Sequence, residues 1–99
     1  MILEASPVPD QPGLFFYGAA QTQVPMANGI RCVDGTLFRL PVDFASSGVL
    51  TSEVDYANLP PGGEILVGAT LNFQAWFRDP AAGGAGSNTS DGLEITFEG

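Results

Sequence analysis

The sequence predicts an all-β domain, a two-sheet antiparallel β-sandwich of immunoglobulin-like or jelly-roll-like type with about seven to eight short strands. Three observations carry that expectation. Apolar runs are short and separated by turn residues at sandwich-like spacing. The segment 70–78 alternates strictly between two kinds of side chain. Thirteen glycines and eight prolines among 99 residues are more punctuation than a helical bundle tolerates.

Taken in chain order, residues 1–13 hold Ala5-Ser6-Pro7-Val8-Pro9-Asp10-Gln11-Pro12-Gly13, a text that disfavours helix and reads as an N-terminal extension or linker. The folded domain is expected over 14–99. Strand-like runs follow at 14–17, 29–33, 36–40, 49–56, 64–67, 70–78 and 93–97. Asp34-Gly35 lies between the second and third of these runs. It suits a type I′ turn, so those two runs are expected to pair as a hairpin. Asn58-Leu59-Pro60-Pro61-Gly62-Gly63 lacks the donors and side chains of a ladder and reads as a connection.

In the 70–78 run, Leu71, Phe73, Ala75 and Phe77 fall on one face, and Asn72, Gln74, Trp76 and Arg78 on the other. A period of two marks a half-buried strand, because a helix would scatter those apolar side chains around its axis. Leu93, Ile95 and Phe97 repeat the pattern against Glu94, Thr96 and Glu98, as do Leu50, Val54 and Tyr56 against Thr51, Glu53 and Asp55. Residues 79–92 form the longest stretch expected to be irregular.

Length allows one hydrophobic core and no second. The charge is lopsided: Arg31, Arg39 and Arg78 are the only cations against eleven carboxylates, giving a net charge of −8. Such a chain repels phosphate backbones and anionic lipid, so neither nucleic acid nor membrane insertion is expected. No run is long and apolar enough to span a bilayer, and Met1-Ile2-Leu3-Glu4 has no leader character. Cys32 is the sole cysteine, which rules out an intrachain disulfide.

The residue inventory also limits chemistry. Without histidine or lysine there is no Ser-His-Asp or Cys-His catalysis, no histidine metal site and no Schiff base. A carboxylate pair is the remaining catalytic possibility, and a domain this small rarely encloses the cleft it needs. No catalytic residue is assigned, and no cofactor is expected beyond calcium.

Three constellations stand out. Trp76 among Asn72, Gln74 and Arg78 is what a sugar platform needs, a ring for C–H faces and polar groups for hydroxyls; the same tryptophan could instead be covered and anchor the fold. Asp79, Asn88 and Asp91 offer hard oxygen ligands at the ends of a glycine-rich loop, where calcium would pin it, although Asp or Asn near Gly is also ordinary turn chemistry. Asn88-Thr89-Ser90 fits the glycosylation sequon as well. Finally, Leu14-Phe15-Phe16-Tyr17 is apolar on both faces, so Phe15 and Tyr17 are either core residues or a partner surface.

A collinear series of these features resembles a known domain. It comprises Ser6-Pro7, Asp10-Gln11-Pro12-Gly13-Leu14-Phe15-Phe16-Tyr17-Gly18, Val24-Pro25, Asn28-Gly29, Arg31-Cys32-Val33, Arg39-Leu40-Pro41, 72–80, Gly83-Gly84-Ala85-Gly86 and Ser90-Asp91-Gly92-Leu93. The series resembles a domain near the C-terminus of large secreted or surface multidomain proteins of planctomycetes and some other bacteria. The resemblance implies an extracellular or cell-surface location and an appended role, with no activity to carry over. Relatives often end in Phe-Cys-Pro where this chain has Phe97-Glu98-Gly99, so a bridge from Cys32 to that end has no partner here. The expected function is therefore a non-catalytic accessory domain that anchors or assembles a larger protein, or alternatively a carbohydrate-binding module. Its expected partner is a glycan, a cell-surface component or another copy.

Overall fold

The computed structural model describes residues 1–97, which places Glu98 of the last alternating run outside the described part. The fold is all-β with antiparallel pairing throughout and no α-helix among the described residues. The strands are β1 (Ile2–Ala5), β2 (Pro12–Gly18), β3 (Ala20–Met26), β4 (Gly29–Asp34), β5 (Phe38–Arg39), β6 (Asp43–Phe44), β7 (Leu50–Glu53), β8 (Thr70–Arg78), β9 (Ser87–Thr89) and β10 (Leu93–Thr96). Six of them form one sheet in the order β10-β8-β2-β5, with β6 also pairing β2 and β9 also pairing β8. Two two-stranded sheets, β1 with β7 and β3 with β4, complete the set.

The centre is the β2–β8 ladder, whose register runs from Gly13 opposite Phe77 to Gly18 opposite Asn72. Alternation sends Phe15 and Tyr17 of β2 and Phe73, Ala75 and Phe77 of β8 to one face. There they cluster with Leu3, Ala5, Val8, Leu50 and Val54. Burying each phenylalanine contributes about 1.5–3 kcal/mol, so this face dominates the stability of the fold. A Cβ at Gly13 would lie 2.9 Å from both Leu50 Cδ2 and Phe77 Cβ, which explains a glycine inside a central strand.

Several expectations change. Residues 1–13 are not a linker: Ile2–Ala5 pairs with β7, and Leu3, Ala5 and Val8 are buried in the core. Prolines at 7, 9 and 12 supply no ladder donors, so a core segment reads like a spacer. The two runs flanking Asp34-Gly35 do not pair. β4 pairs β3 through the turn of Ala27 and Asn28, whereas β5 pairs β2. A tight turn with positive φ at both centres occurs at Ser47 and Gly48 instead, leading into β7. Residues 64–67 form no strand, with Leu66 and Val67 exposed. Tyr56 leaves the β7 alternation because the chain turns at Asp55. That carboxylate accepts hydrogen bonds from Asn58 Nδ2 and the Ala57 N–H, which hold its pKa below the ordinary value.

Tyr17 ties the core to the 58–63 connection. Its ring packs between Phe38 and Phe73, with centroids 5.4 and 5.1 Å away, and its Oη donates to the Gly63 carbonyl at 2.6 Å. Burial, reinforced by the charge of Glu64, raises the phenol above its ordinary pKa. A raised value means that the neutral phenol contributes stability below the unfolded pKa of about 10, a contribution lost as pH climbs toward the folded value. Tyr17→Phe is expected to cost about 1–3 kcal/mol in denaturant titrations at neutral pH, because the Gly63 carbonyl loses its donor. The gap to wild type should narrow in alkaline solution. Equal stability at neutral pH would contradict this role.

Candidate functional site

The face of the large sheet that points away from the core divides into two halves. Over one half lies the β3–β4 hairpin, and between the two layers Phe16, Asn72 and Gln74 of the sheet and Val33 of the hairpin are all buried. The interface between hairpin and sheet is held by polar groups. Gln74, only 1% exposed, donates from Nε2 to the carbonyls of Ile30 and Ser90 at 2.6 Å each, and its Oε1 accepts from the Cys32 N–H at 2.8 Å. Asn72 Oδ1 accepts from Gln21 Nε2, which also donates to Glu94 Oε2, both at 2.8 Å. Thr89 Oγ1 accepts from the Ile30 N–H and donates to the Ile30 carbonyl.

The structure therefore separates the four residues that the sequence grouped as a sugar platform. Asn72 and Gln74 are consumed by bonds within the chain and present nothing to a ligand. Alternation identifies which side chains share a side of a strand, but it carries no information about what covers that side. Trp76 and Arg78 remain on the uncovered half. Phe15 and Tyr17 are core residues, 4% and 1% exposed, so they form no partner surface.

The proposed calcium ligands do not converge either. Residues 79–92 are a hairpin rather than one irregular loop: β9 pairs β8 with Arg78 opposite Ser87 and Trp76 opposite Thr89. The Asp79 N–H bonds the Gly86 carbonyl at one end, and the Ser90 N–H bonds the Ala75 carbonyl near the other. Asp79 and Asp91 thus lie about five strand steps apart, roughly 16 Å at the usual rise per residue. Asn88 Oδ1 accepts from the Thr89 N–H next to it. No cluster of three or more metal-binding His, Cys, Asp or Glu occurs among the described residues.

The 79–86 loop is pinned by protein atoms. Asn28, at the tip of the β3–β4 hairpin, donates from Nδ2 to the Gly83 carbonyl at 2.7 Å and accepts from the Ala85 N–H at 3.1 Å. Gly84 has φ +60°, and a Cβ there would lie 2.5 Å from Asn28 Oδ1. This link joins positions more than fifty residues apart, and no local pattern in the sequence signals it.

What the sequence reading missed is the uncovered half itself. Leu14 and Trp76 are cross-strand neighbours, and Phe44 stands opposite Pro12 on the same side. Pro12, Leu14, Val42, Trp76 and Arg78 line an open cleft of about 240 Å³. Val42 and Phe44 are 62% and 74% exposed. The register also places Arg39 on this side of the sheet, exposed at the edge strand opposite Phe16 where the covered half begins, so two of the three cations border one apolar face. The third, Arg31, lies 3.5 Å from Asp34. Trp76 Nε1 is buried and makes no hydrogen bond within the described residues, so the indole offers solvent its apolar surface rather than its donor.

No family model matches the chain, and no curated protein or solved structure matches it.

If Gln74 fastens the hairpin to the sheet, Gln74→Leu should destabilise the protein by about 2–4 kcal/mol, since the part-buried Ser90 carbonyl and Cys32 N–H lose their partners and the Ile30 carbonyl keeps only Thr89. Denaturant unfolding measures this. A loss below about 0.5 kcal/mol, the range of a neutral surface substitution, would show that the amide is dispensable.

Proposed function

We propose that this is a non-catalytic accessory domain of a larger secreted or cell-surface protein, built as a β-sandwich, which anchors or assembles its parent through the uncovered face around Trp76. One observation carries this reading. An open face bearing Leu14, Val42, Phe44 and Trp76, flanked by Arg39 and Arg78, has the composition of a protein-contact surface, rich in aromatic residues and arginine and free of lysine. Large exposed aromatic and aliphatic groups gathered in one place mark contact sites more often than chance exposure does. The sandwich arrangement draws support from the shared cluster of Leu3, Ala5 and Leu50 with Phe15, Phe73 and Phe77. The absence of histidine and lysine supports a role without catalysis. The extracellular setting rests on the sequence resemblance.

A carbohydrate-binding module is the second reading, favoured by the open cleft that holds Trp76 beside Arg78. It lacks neighbouring amides, since Asn72 and Gln74 are occupied elsewhere. An acidic or apolar contact suits the face better than a neutral sugar does.

Fused to a fluorescent reporter, the domain is expected to be retained on cell-envelope material of the producing organism, or on beads carrying the domain itself. Phe44→Ser and Trp76→Ala should each reduce retention by about tenfold or more, as loss of a central contact residue does, with far-UV spectra unchanged. Release by soluble polysaccharide would favour the glycan reading. No retention on either support, or retention indifferent to both substitutions, would overturn the proposed face.

A further inference from the structure

The occupant of that face can be named from the surface of the molecule itself. The inner residues of β1 and β7, Leu3, Ala5 and Leu50, share one core with the inner face of the large sheet. The outer faces of the β1–β7 pair and of the large sheet therefore look in opposite directions. On the β1–β7 pair, alternation turns Ile2, Glu4, Thr51 and Glu53 outward, and all four are exposed. The register sets Ile2 opposite Glu53 and Glu4 opposite Thr51, so two carboxylates lie diagonally around an isoleucine that is 61% exposed.

Across the molecule, the uncovered half of the large sheet has the opposite character. Arg39 and Arg78 are exposed and make no ion pair among the described residues, and Leu14, Val42, Phe44 and Trp76 lie on the same side. The carboxylates nearest this half in the chain are Asp43, which alternation turns to the Gly13 side, and Asp79, in the loop beyond β8. One surface is cationic and apolar, the other anionic with an apolar centre. Both are pleated sheet faces of similar kind.

We propose, resting on the docking reading above, that the Arg39/Trp76/Arg78 face of one copy receives the Glu4/Ile2/Glu53 face of a second. Two different patches on opposite sides make a heterologous contact that does not close on itself, so copies stack head to tail instead of forming a symmetric dimer. The net charge of −8 opposes this at long range, but that repulsion is screened beyond about 8 Å at physiological ionic strength while the contacting charges are not. Complementary charge fixes which faces meet, and the apolar centres supply the attraction.

Sedimentation velocity on the full chain over a range of concentrations tests this, using wild type, R39E/R78E, E4K/E53K and an equimolar mixture of the two variants. All four positions are solvent-exposed, and matching melting temperatures would verify that the variants fold. Wild type is expected to grow past the dimer as concentration rises. Each variant alone should stay monomeric, with self-association weakened by about tenfold or more. The mixture should associate again and grow past the dimer, because both acidic faces of R39E/R78E are complementary to the two basic faces of E4K/E53K. A wild type that remains monomeric at millimolar concentration, a wild-type species that stops at a dimer, or a mixture that stays monomeric would overturn the proposal. If wild type is monomeric while retention on envelope material still depends on Phe44 and Trp76, the stacking inference fails and the docking reading stands.

Discussion

One buried amide holds the outer layer of this molecule in place. Gln74 rises from the central strand and offers the β3–β4 hairpin the same pairing that a neighbouring strand would, accepting from the Cys32 N–H and donating to the Ile30 carbonyl. Its remaining donor satisfies Ser90 on the far side. The hairpin itself is a poor candidate for independent stability. β3 is mostly exposed, carries Pro25 and shifts register between Gln21 and Val24. A two-stranded ribbon of that kind needs to be fastened to something, and here the fastening is polar. Buried amides are costly when unpaired and specific when fully paired, so this interface admits one position of the hairpin.

That position decides which part of the sheet is left open. With the hairpin over Phe16, Asn72 and Gln74, the opposite half remains as a strip of Leu14, Val42, Phe44 and Trp76. Asn28 at the hairpin tip also secures the glycine-rich loop that follows β8, beside Arg78. The functional reading thus depends on a structural one. The covering hairpin withdraws the amides that a sugar site would have used and leaves a surface suited to apolar and charged contact.

The sequence revealed the inner half of this architecture better than the outer half, for identifiable reasons. β8 and β10 were legible because polar and apolar side chains alternate along each, although the polar side of β8 is itself covered by the hairpin and Leu93 of β10 is exposed. β1 was hidden because its neighbours are prolines, which look like spacer text even though Leu3, Ala5 and Val8 enter the core. β3 and β9 were missed because strands paired at the periphery carry few apolar residues. Asp34-Gly35 is a genuine turn, with φ +85° at the glycine, yet it joins strands in different sheets. Turn chemistry reports a change of direction and not the partner of the next strand. In the candidate site, Trp76 and Arg78 stayed open while Asn72 and Gln74 did not, because covering by a distant hairpin is a non-local event. Val42 and Phe44 join Trp76 only through the pairing of β6 with β2, which no local pattern announces.

The most direct test of the central claim is amide hydrogen exchange at Cys32, followed by NMR on the intact chain. Its N–H donates to Gln74 Oε1 at the register shift of the β3–β4 ladder, so its protection reports on the side-chain amide. Exchange at a rate set by global unfolding would mean that the hairpin opens only when the whole core does, as this account requires. Exchange as fast as that of a free strand edge would show that the hairpin lifts off the folded sheet, and that the boundary of the open face is not set by Gln74.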